Sequence, residues 1–233
     1  SSAASDVYKR QIVYCSTRRT VEEVDALLND KGIPSTRYHA GLPEEERRRN
    51  QDDFVYDRKP IMVATNAFGM GIDKSNVSFV IHYNMPKNLE SYYQEAGRAG
   101  RDGSPAECIL LYSPQDVRTN RYLIENSDPN PDLDFETQEK LIQREYDRLR
   151  KMTYYCTTAD CLRAFILKYF GEPAEEYCGN CSSCAGGSIL VEATVEAQQV
   201  LSCVARTGQR LGISMICDLS LIHISEPTRL QLI

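Results

Sequence analysis

Five short runs of strand character set the limits on what this chain can fold into. IVYC (residues 12–15), STRYHAG, IMVAT, FVIHY and AECILLY are each four to seven residues long. Polar stretches with apolar residues at helical spacing separate them. After the first run, Val21, Val24, Leu27 and Leu28 form a stripe; Thr20 with Glu23 predicts a capping box, and Gly32 supplies the stop. Pro43 suits the first turn of a second helix, where Glu44, Glu45 and Glu46 meet the positive end of its dipole. NLESYYQEAG reads as a third helix, ended by Gly97. Strands this short and apolar, alternating with helices, mean a parallel sheet covered on both faces. The expected fold is therefore an α/β domain over residues 12–126.

Beyond it the pattern changes. NSDPNPDLD is polar with two prolines and reads as a linker. Leu141, Ile142, Tyr146, Leu149 and Met152 then recur at helical spacing, which predicts an amphipathic helix over 135–153. Of nine cysteines, Cys156, Cys161, Cys178, Cys181 and Cys184 fall within thirty positions. An odd count with no secretory leader disfavours a disulfide framework and favours metal ligation. Cys178, Cys181 and Cys184 make C-x2-C-x2-C, with Cys161 upstream on an apparent helix, CLRAFILKYFGE. Four thiolates can close a tetrahedral shell around zinc and staple a loop to a helix that has little core of its own. The triple spacing also fits an iron–sulfur cluster. Cys156 either competes with Cys161 or packs nearby, while Cys15, Cys108, Cys203 and Cys217 read as small buried residues. GGS at 186–188 is a second hinge, and VEATVEAQQVLSCVAR begins another helical unit.

The net charge of −6 argues mildly against a nucleic-acid partner. TRRT, RRRN and QREYDRLRK are local basic exceptions, although most such runs are solvated helix faces. No run approaches the ~18 apolar residues of a membrane helix. A cytoplasmic globular protein is expected. SSAASDVYKRQ and LSLIHISEPTRLQLI fit neither the periodicity nor the chemistry between them. A codon choice for residues 6–11 is the reverse complement of one for 219–224. That inverted repeat resembles the end of a transposase-based sequencing adapter, so 1–11 and 219–233 are expected to be non-native tails.

Ligands of open α/β sheets gather outside the carboxyl ends of the strands. Three polar clusters are expected there: CSTRRT, ATNAFGMGIDK and QEAGRAGRDG. Their glycines allow close backbone approach, their arginine forks suit phosphate oxygens, and a hydroxyl-rich turn entering a helix seats a phosphate. They point to a polyphosphate or a nucleic-acid backbone. GMG alone is no dinucleotide fingerprint.

In combination the clusters say more. VATNAFGMGIDKSNV followed by HYNMPKNLESYYQEAGRAGRDG resembles motifs V and VI of superfamily 2 helicases, in the form peculiar to the RecQ family. YCSTRRTVEEVDALL with YHAGL resembles that family's motif IV region, and the likeness continues to GQRLGISMICDL. The resemblance implies an ATP-dependent 3′–5′ DNA helicase acting on single strands and duplex junctions in repair and recombination. Residues 12–126 would be its second RecA-like lobe, 127–187 a helical zinc-binding subdomain, and 188–218 a truncated winged-helix start. Arg98 and Arg101 would be arginine fingers towards ATP and its Mg2+, and Gln94 would position or sense the nucleotide. Gly71 would face that nucleotide, and Asp73 would face its ribose or link to the arginines. Ser16, Thr17, Arg18, His39, Gly41, Thr65 and Asn66 would contact the DNA backbone. Cys161, Cys178, Cys181 and Cys184 would hold a structural zinc. Ser16 and Thr17 also suit plain turn and capping roles, and His39 a satisfied structural one.

No G-x-x-x-x-G-K-S/T phosphate loop and no acidic Mg2+ pair occurs. The first motor lobe would have to be supplied, in cis in such a helicase, and the chain alone is expected not to hydrolyse ATP. A second reading is a stand-alone zinc-stabilised DNA-binding or regulatory module. The Gln94–Arg98–Arg101 pattern separates the two, since plain backbone binding does not require it.

Overall fold

The computed structural model describes residues 9–69, 74–127, 131, 133–186, 194–212 and 215–216. β1 (Gln11–Tyr14), β2 (Ser35–Tyr38), β3 (Ile61–Ala64), β4 (Phe79–His82) and β5 (Glu107–Leu110) pair in parallel in the order β2-β3-β1-β4-β5. The register sets Ile12 beside Met62 and Val80, and Val13 beside Val63 and Ile81. Successive side chains on a strand point to opposite faces. On one face Ile12, Tyr14, Met62, Ala64 and Val80 pack with Phe54 and Phe68. On the other, Val13, Ile61 and Val63 pack with Val21 and Cys15. Val21 belongs to α1 (Arg18–Asp30) and Phe54 to α2 (Glu44–Val55), so helices cover both faces as expected. Each fully buried side chain of this size is worth ~1.5–3 kcal/mol.

The helix ends follow local chemistry. Thr17, not Thr20, caps α1: its hydroxyl accepts the Thr20 amide at 3.1 Å, and its backbone is extended. Arg18 and Arg19 are good helix formers, so the helix starts one turn's cap earlier than the Thr20–Glu23 pair suggests. Gly32 ends α1 at φ +74, a left-handed conformation that favours glycine. α2 opens after Pro43 with Glu44, Glu45 and Glu46 in its first turn. Asn88 caps α3 (Leu89–Ala96), accepting the Ser91 amide at 2.9 Å. Gln11, assigned to a tail by the sequence reading, pairs within β1 opposite Ile61 and Phe79.

α4 (Pro114–Glu125) has no counterpart in the sequence reading. Ser113 caps it and Pro114 fills its first position. Its Asp116 grips the turn after β4, accepting the Met85 amide at 2.9 Å and the Asn84 side chain at 3.0 Å. α5 (Phe135–Thr157) runs past residue 153 because Tyr155, one turn beyond Met152, is also buried. One core then joins Met85, Leu89 and Tyr92 to Ile124 of α4 and to Leu149, Met152 and Tyr155 of α5. Phe165 and Ile166 of α6 (Leu162–Tyr169) pack against it. The polar linker thus separates two sequence patterns that share a core, and the described residues up to 181 make one compact unit. The described residues beyond 181 make a second, in which α7 (Thr194–Arg206) buries none of its residues.

Candidate nucleotide and nucleic-acid interface

The chain leaves β1 towards β2 on one side, whereas β3 connects past β1 to β4 on the other. The crevice outside the carboxyl ends at such a reversal is where open α/β sheets bind ligands. A cavity of about 200 Å3 opens there, and its lining includes Tyr14, Ser16, Asn66, His82, Asn84, Lys87 and Glu95. The Ser16 amide donates to Asn84 Oδ1 at 3.1 Å, and Asp116 in turn holds the Asn84 amide group. Two predicted backbone contacts, Ser16 and Asn66, therefore share one cavity. Beneath them His82 is buried, with Nε2 2.8 Å from Glu95 Oε2 and its ring stacked on Tyr14 at 5.4 Å. Burial pushes the Tyr14 hydroxyl well above the ordinary phenol range, against the opposing pull of Arg98.

A second group stands at the start of α1. The Gly41 amide donates to His39 Nδ1 at 3.2 Å, and His39 Nε2 lies 2.7 Å from Glu22 Oε1. A Cβ on Gly41 would come within 3.1 Å of the Arg18 side chain, so glycine lets that side chain lie against the loop. His39 is buried with both ring nitrogens occupied. Thr65 is buried and donates its amide to the Tyr38 carbonyl, and the Thr17 hydroxyl is spent on its cap. Ser16, Thr17, Arg18, Gly41 and Asn66 are the exposed members of the set, and His39 and Thr65 the buried ones.

QEAGRAGRDG does not join them at the carboxyl edge. The Gly100 amide donates to the Val77 carbonyl at 2.9 Å and the Asp102 amide to the Ser75 carbonyl at 3.3 Å. Residues 75–77 lead into β4, and the segment itself leads into β5. A helix-to-strand connection in a parallel sheet arrives at the amino end, so the expectation of three clusters on one edge is corrected to two. Gly100 turns there at φ +67, where a Cβ would lie 3.0 Å from the Ser104 carbonyl oxygen.

The two arginines differ. Arg98 is 8% exposed; its Nη2 donates to the Gly69 carbonyl at 2.8 Å, and its Nε is buried with no hydrogen-bond partner. A Cβ on Gly69 would collide with that Nη2. Arg98 thus ties the exit of α3 to the connection that carries Thr65 and Asn66. Arg101 is exposed, with Nε donating to the Gly97 carbonyl at 3.1 Å, and Gln94 is exposed on α3. Gly71 and Asp73 lie outside the described residues.

The four predicted metal ligands come together. The sulfurs of Cys161, Cys178, Cys181 and Cys184 all lie within 4.8 Å of one another, and those of Cys161 and Cys181 are 4.0 Å apart. Tetrahedral Zn–S bonds of ~2.3 Å place sulfurs about 3.8 Å apart, so the donor set fits zinc. The Ala164 amide points at Cys161 Sγ (3.5 Å) and the Cys181 amide at Cys178 Sγ (3.3 Å). Amides of Asn180 and Cys181 hold the Cys178 thiol below its ordinary value, which favours the ligating thiolate. Cys161 stands as the N-cap of α6 rather than within it, and Ala164 is that helix's buried residue, so the metal supplies what packing does not. Cys156 packs against the α3–α5 core, its thiol pushed up to about 12 by burial, and takes no part in the group of four. Cys108 is exposed, contrary to the sequence reading, because β5 is the edge strand.

Sequence reasoning passed over Asn84, Lys87 and Asp116. Asn84 and Lys87 sit inside HYNMPKN, and Asp116 follows the Ser113–Pro114 helix start; only the tertiary fold brings the three to one crevice.

Residues 4–103 match the helicase conserved C-terminal domain, 114–185 the RecQ zinc-binding domain, and 188–220 the RQC domain. The ATP-dependent DNA helicase RecQ of Bacillus subtilis is 45% identical over 207 residues, covering 89% of this chain and 34% of that protein. The ATP-dependent DNA helicase hus2/rqh1 of Schizosaccharomyces pombe is 46% identical over 168 residues, covering 71% of this chain and 12% of that protein. The crystal structure of a DEAD box protein from Methanococcus jannaschii aligns with a TM-score of 0.43 at 29% identity, over 50% of this chain and 32% of that one. The chain spans about a third of the length of its bacterial relative. The zinc-binding match and the four converging sulfurs identify the cysteine group as a structural zinc site. With three domains matched in order along residues 4–220, the chain belongs to the RecQ helicase family, of which it carries the C-terminal region.

Proposed function

We propose that this chain is part of an ATP-dependent 3′–5′ DNA helicase, acting on single strands and duplex junctions in repair and recombination. Residues 12–126 serve as its second motor lobe, 127–187 as its zinc platform and 188–218 as the start of a winged helix. The observation that carries the reading is the separation of two polar surfaces. Arg101 stands exposed at the amino edge of the sheet, and Ser16, Arg18 and Asn66 stand exposed at the carboxyl edge. A motor needs both: one edge to meet the nucleotide, the other to follow a strand. Arg101 is the arginine finger, with Gln94, Gly71 and Asp73 beside the nucleotide. Arg98, buried on Gly69, links the nucleotide edge to the strand-holding loop. ATP with Mg2+ supplies the phosphoryl-transfer chemistry when it is bound against the first lobe. The protein works in the cytoplasm or nucleoid, or in a nucleus; no described helix is long and apolar enough to cross a membrane.

The test mixes the chain with a separately made first lobe and follows hydrolysis of ATP. The chain alone gives none, the mixture gives activity stimulated by single-stranded DNA, and Arg101→Ala removes ~10³-fold or more of it. Zinc content and fold stay unchanged in that variant. A mixture that hydrolyses no ATP would sink the reading and favour the stand-alone binding module, whereas full activity in Arg101→Ala would remove Arg101 as the finger.

A further inference from the structure

We propose that the open cavity between α5 and α6 is a docking site for single-stranded nucleic acid, taking a base on its aromatic floor and phosphates on its basic rim. The inference rests on the reading of the chain as part of a DNA motor. The cavity, about 560 Å3, is lined by Arg150, Lys151, Tyr154, Phe165, Lys168 and Tyr169. Three cations and three rings line it, with no carboxylate, in a chain whose net charge is −6. Local helical geometry produces the set. Arg150, Lys151 and Tyr154 fall three and four apart on α5, and Phe165, Lys168 and Tyr169 do so on α6, so each trio shares one helix face. Arg150 and Lys151 close the basic run QREYDRLRK, which no other site uses.

The floor is held firmly. The Tyr169 hydroxyl donates to Glu90 Oε1 at 2.8 Å, and Phe165 packs with Tyr154 at 5.6 Å and Tyr155 at 5.8 Å between ring centroids. The rim is loose. Arg150 pairs with Asp147 at 3.1 Å and Lys168 with Glu176 at 3.7 Å, and these exposed pairs are worth little, so phosphate oxygens can replace the carboxylates. Lys151 Nζ already sits 5.1 Å from the Tyr169 ring centroid. Tyr154, 51% exposed, offers a ring edge and face to an incoming base. Rings flanked by cations are the chemistry of single-strand binding, in which unpaired bases stack and the backbone meets positive charge. A duplex hides its bases and would meet the rim alone.

The experiment measures binding of the purified zinc-loaded chain to a labelled oligothymidylate and to a blunt duplex of equal length. Tyr154→Ala lowers single-strand affinity about 5- to 150-fold and leaves the duplex within about twofold. Tyr154→Phe keeps wild-type affinity. Lys151→Glu with Lys168→Glu, both on the exposed rim and safe for the fold, weakens the single strand and flattens its salt dependence. Unchanged single-strand binding in the charge-reversed variant overturns the inference. So does equal loss on strand and duplex, or displacement of the strand by polyglutamate as readily as by unlabelled strand. Arg18→Ala separates the two claims: if it weakens binding while the cavity variants do not, the cavity falls and the motor reading stands. A chain that binds no strand overturns the inference, and complementation with the first lobe judges the motor reading independently.

Discussion

Gly69→Ala should destabilise the sheet unit by driving a buried arginine from its seat. Gly69 is not in the left-handed region, so alanine meets no backbone penalty there. What it meets is Arg98, whose Nη2 occupies the space a Cβ needs. Two costs follow. The charge-assisted hydrogen bond from Nη2 to the Gly69 carbonyl, 2.8 Å long, is lengthened or lost, at ~1.5–3 kcal/mol. Forcing a methyl into a filled interior adds ~1–3 kcal/mol. The guanidinium is the far end of a flexible side chain, so part of the second cost is relieved by rotation, and the net lies near ~2–4 kcal/mol. That is a large share of the ~5–15 kcal/mol typical of a domain, but short of unfolding it. Urea unfolding followed by far-ultraviolet circular dichroism measures the loss. The decisive form is a double-mutant cycle with Arg98→Ala. Once the guanidinium is gone, Gly69→Ala should cost less than ~1 kcal/mol, leaving a coupling of ~1–3 kcal/mol between the two sites. An equal cost of Gly69→Ala in both backgrounds would refute the collision and place the effect in the loop backbone.

Two further outcomes test other parts of the fold. Cys178→Ser should drop the metal content well below one zinc per chain by elemental analysis and expose residues 161–184 to protease, while the β1–β5 sheet keeps its circular dichroism; retained zinc would remove Cys178 from the ligand set. Burial alone would raise the Asp57 carboxyl, but hydrogen bonds from Arg10 and Lys74 outweigh it and hold its pKa below the ordinary carboxylate value. A depressed folded pKa means this contribution is complete above the unfolded value, about 4, and is lost as pH falls through the folded one. Asp57 is partly exposed, so the slope is shallow, and Asp57→Asn should remove it from a pH series of urea midpoints.

Much of this was legible because the central strands are short and oily. IMVA and IVY could be little else than central strands, and their register then fixed which helix covered which face. The cysteine spacing was equally plain, since ligand geometry demands it. What sequence hid were facts of the third dimension. α4 buries only Asn120 and Ile124, too few for a stripe, and its Ser–Pro start was the one local signal. The Arg98 pair looked alike in QEAGRAGRDG, yet the chain turns one guanidinium inward onto Gly69 and leaves the other outside. His39 and Thr65 read as ligand contacts because they share motifs with Gly41 and Asn66; the fold spends them on holding loops. The edge occupied by each cluster depended on whether a strand or a helix preceded it, and that topological rule was available in the sequence.

The joining of α5 to the α3 core has a mechanical side. Leu149, Met152 and Tyr155 anchor one end of the helix among Leu89 and Tyr92, while Phe135 at the other end is 81% exposed. At 1.5 Å per residue, these 23 residues make a rod about 34 Å long. From Met152 to Phe135 the lever is about 25 Å, so a tilt of the anchored end by about 10° would sweep the far end through about 4 Å. A small rotation of the sheet would thus be enlarged at the far end of the helix, with the shared core rather than a hinge carrying it.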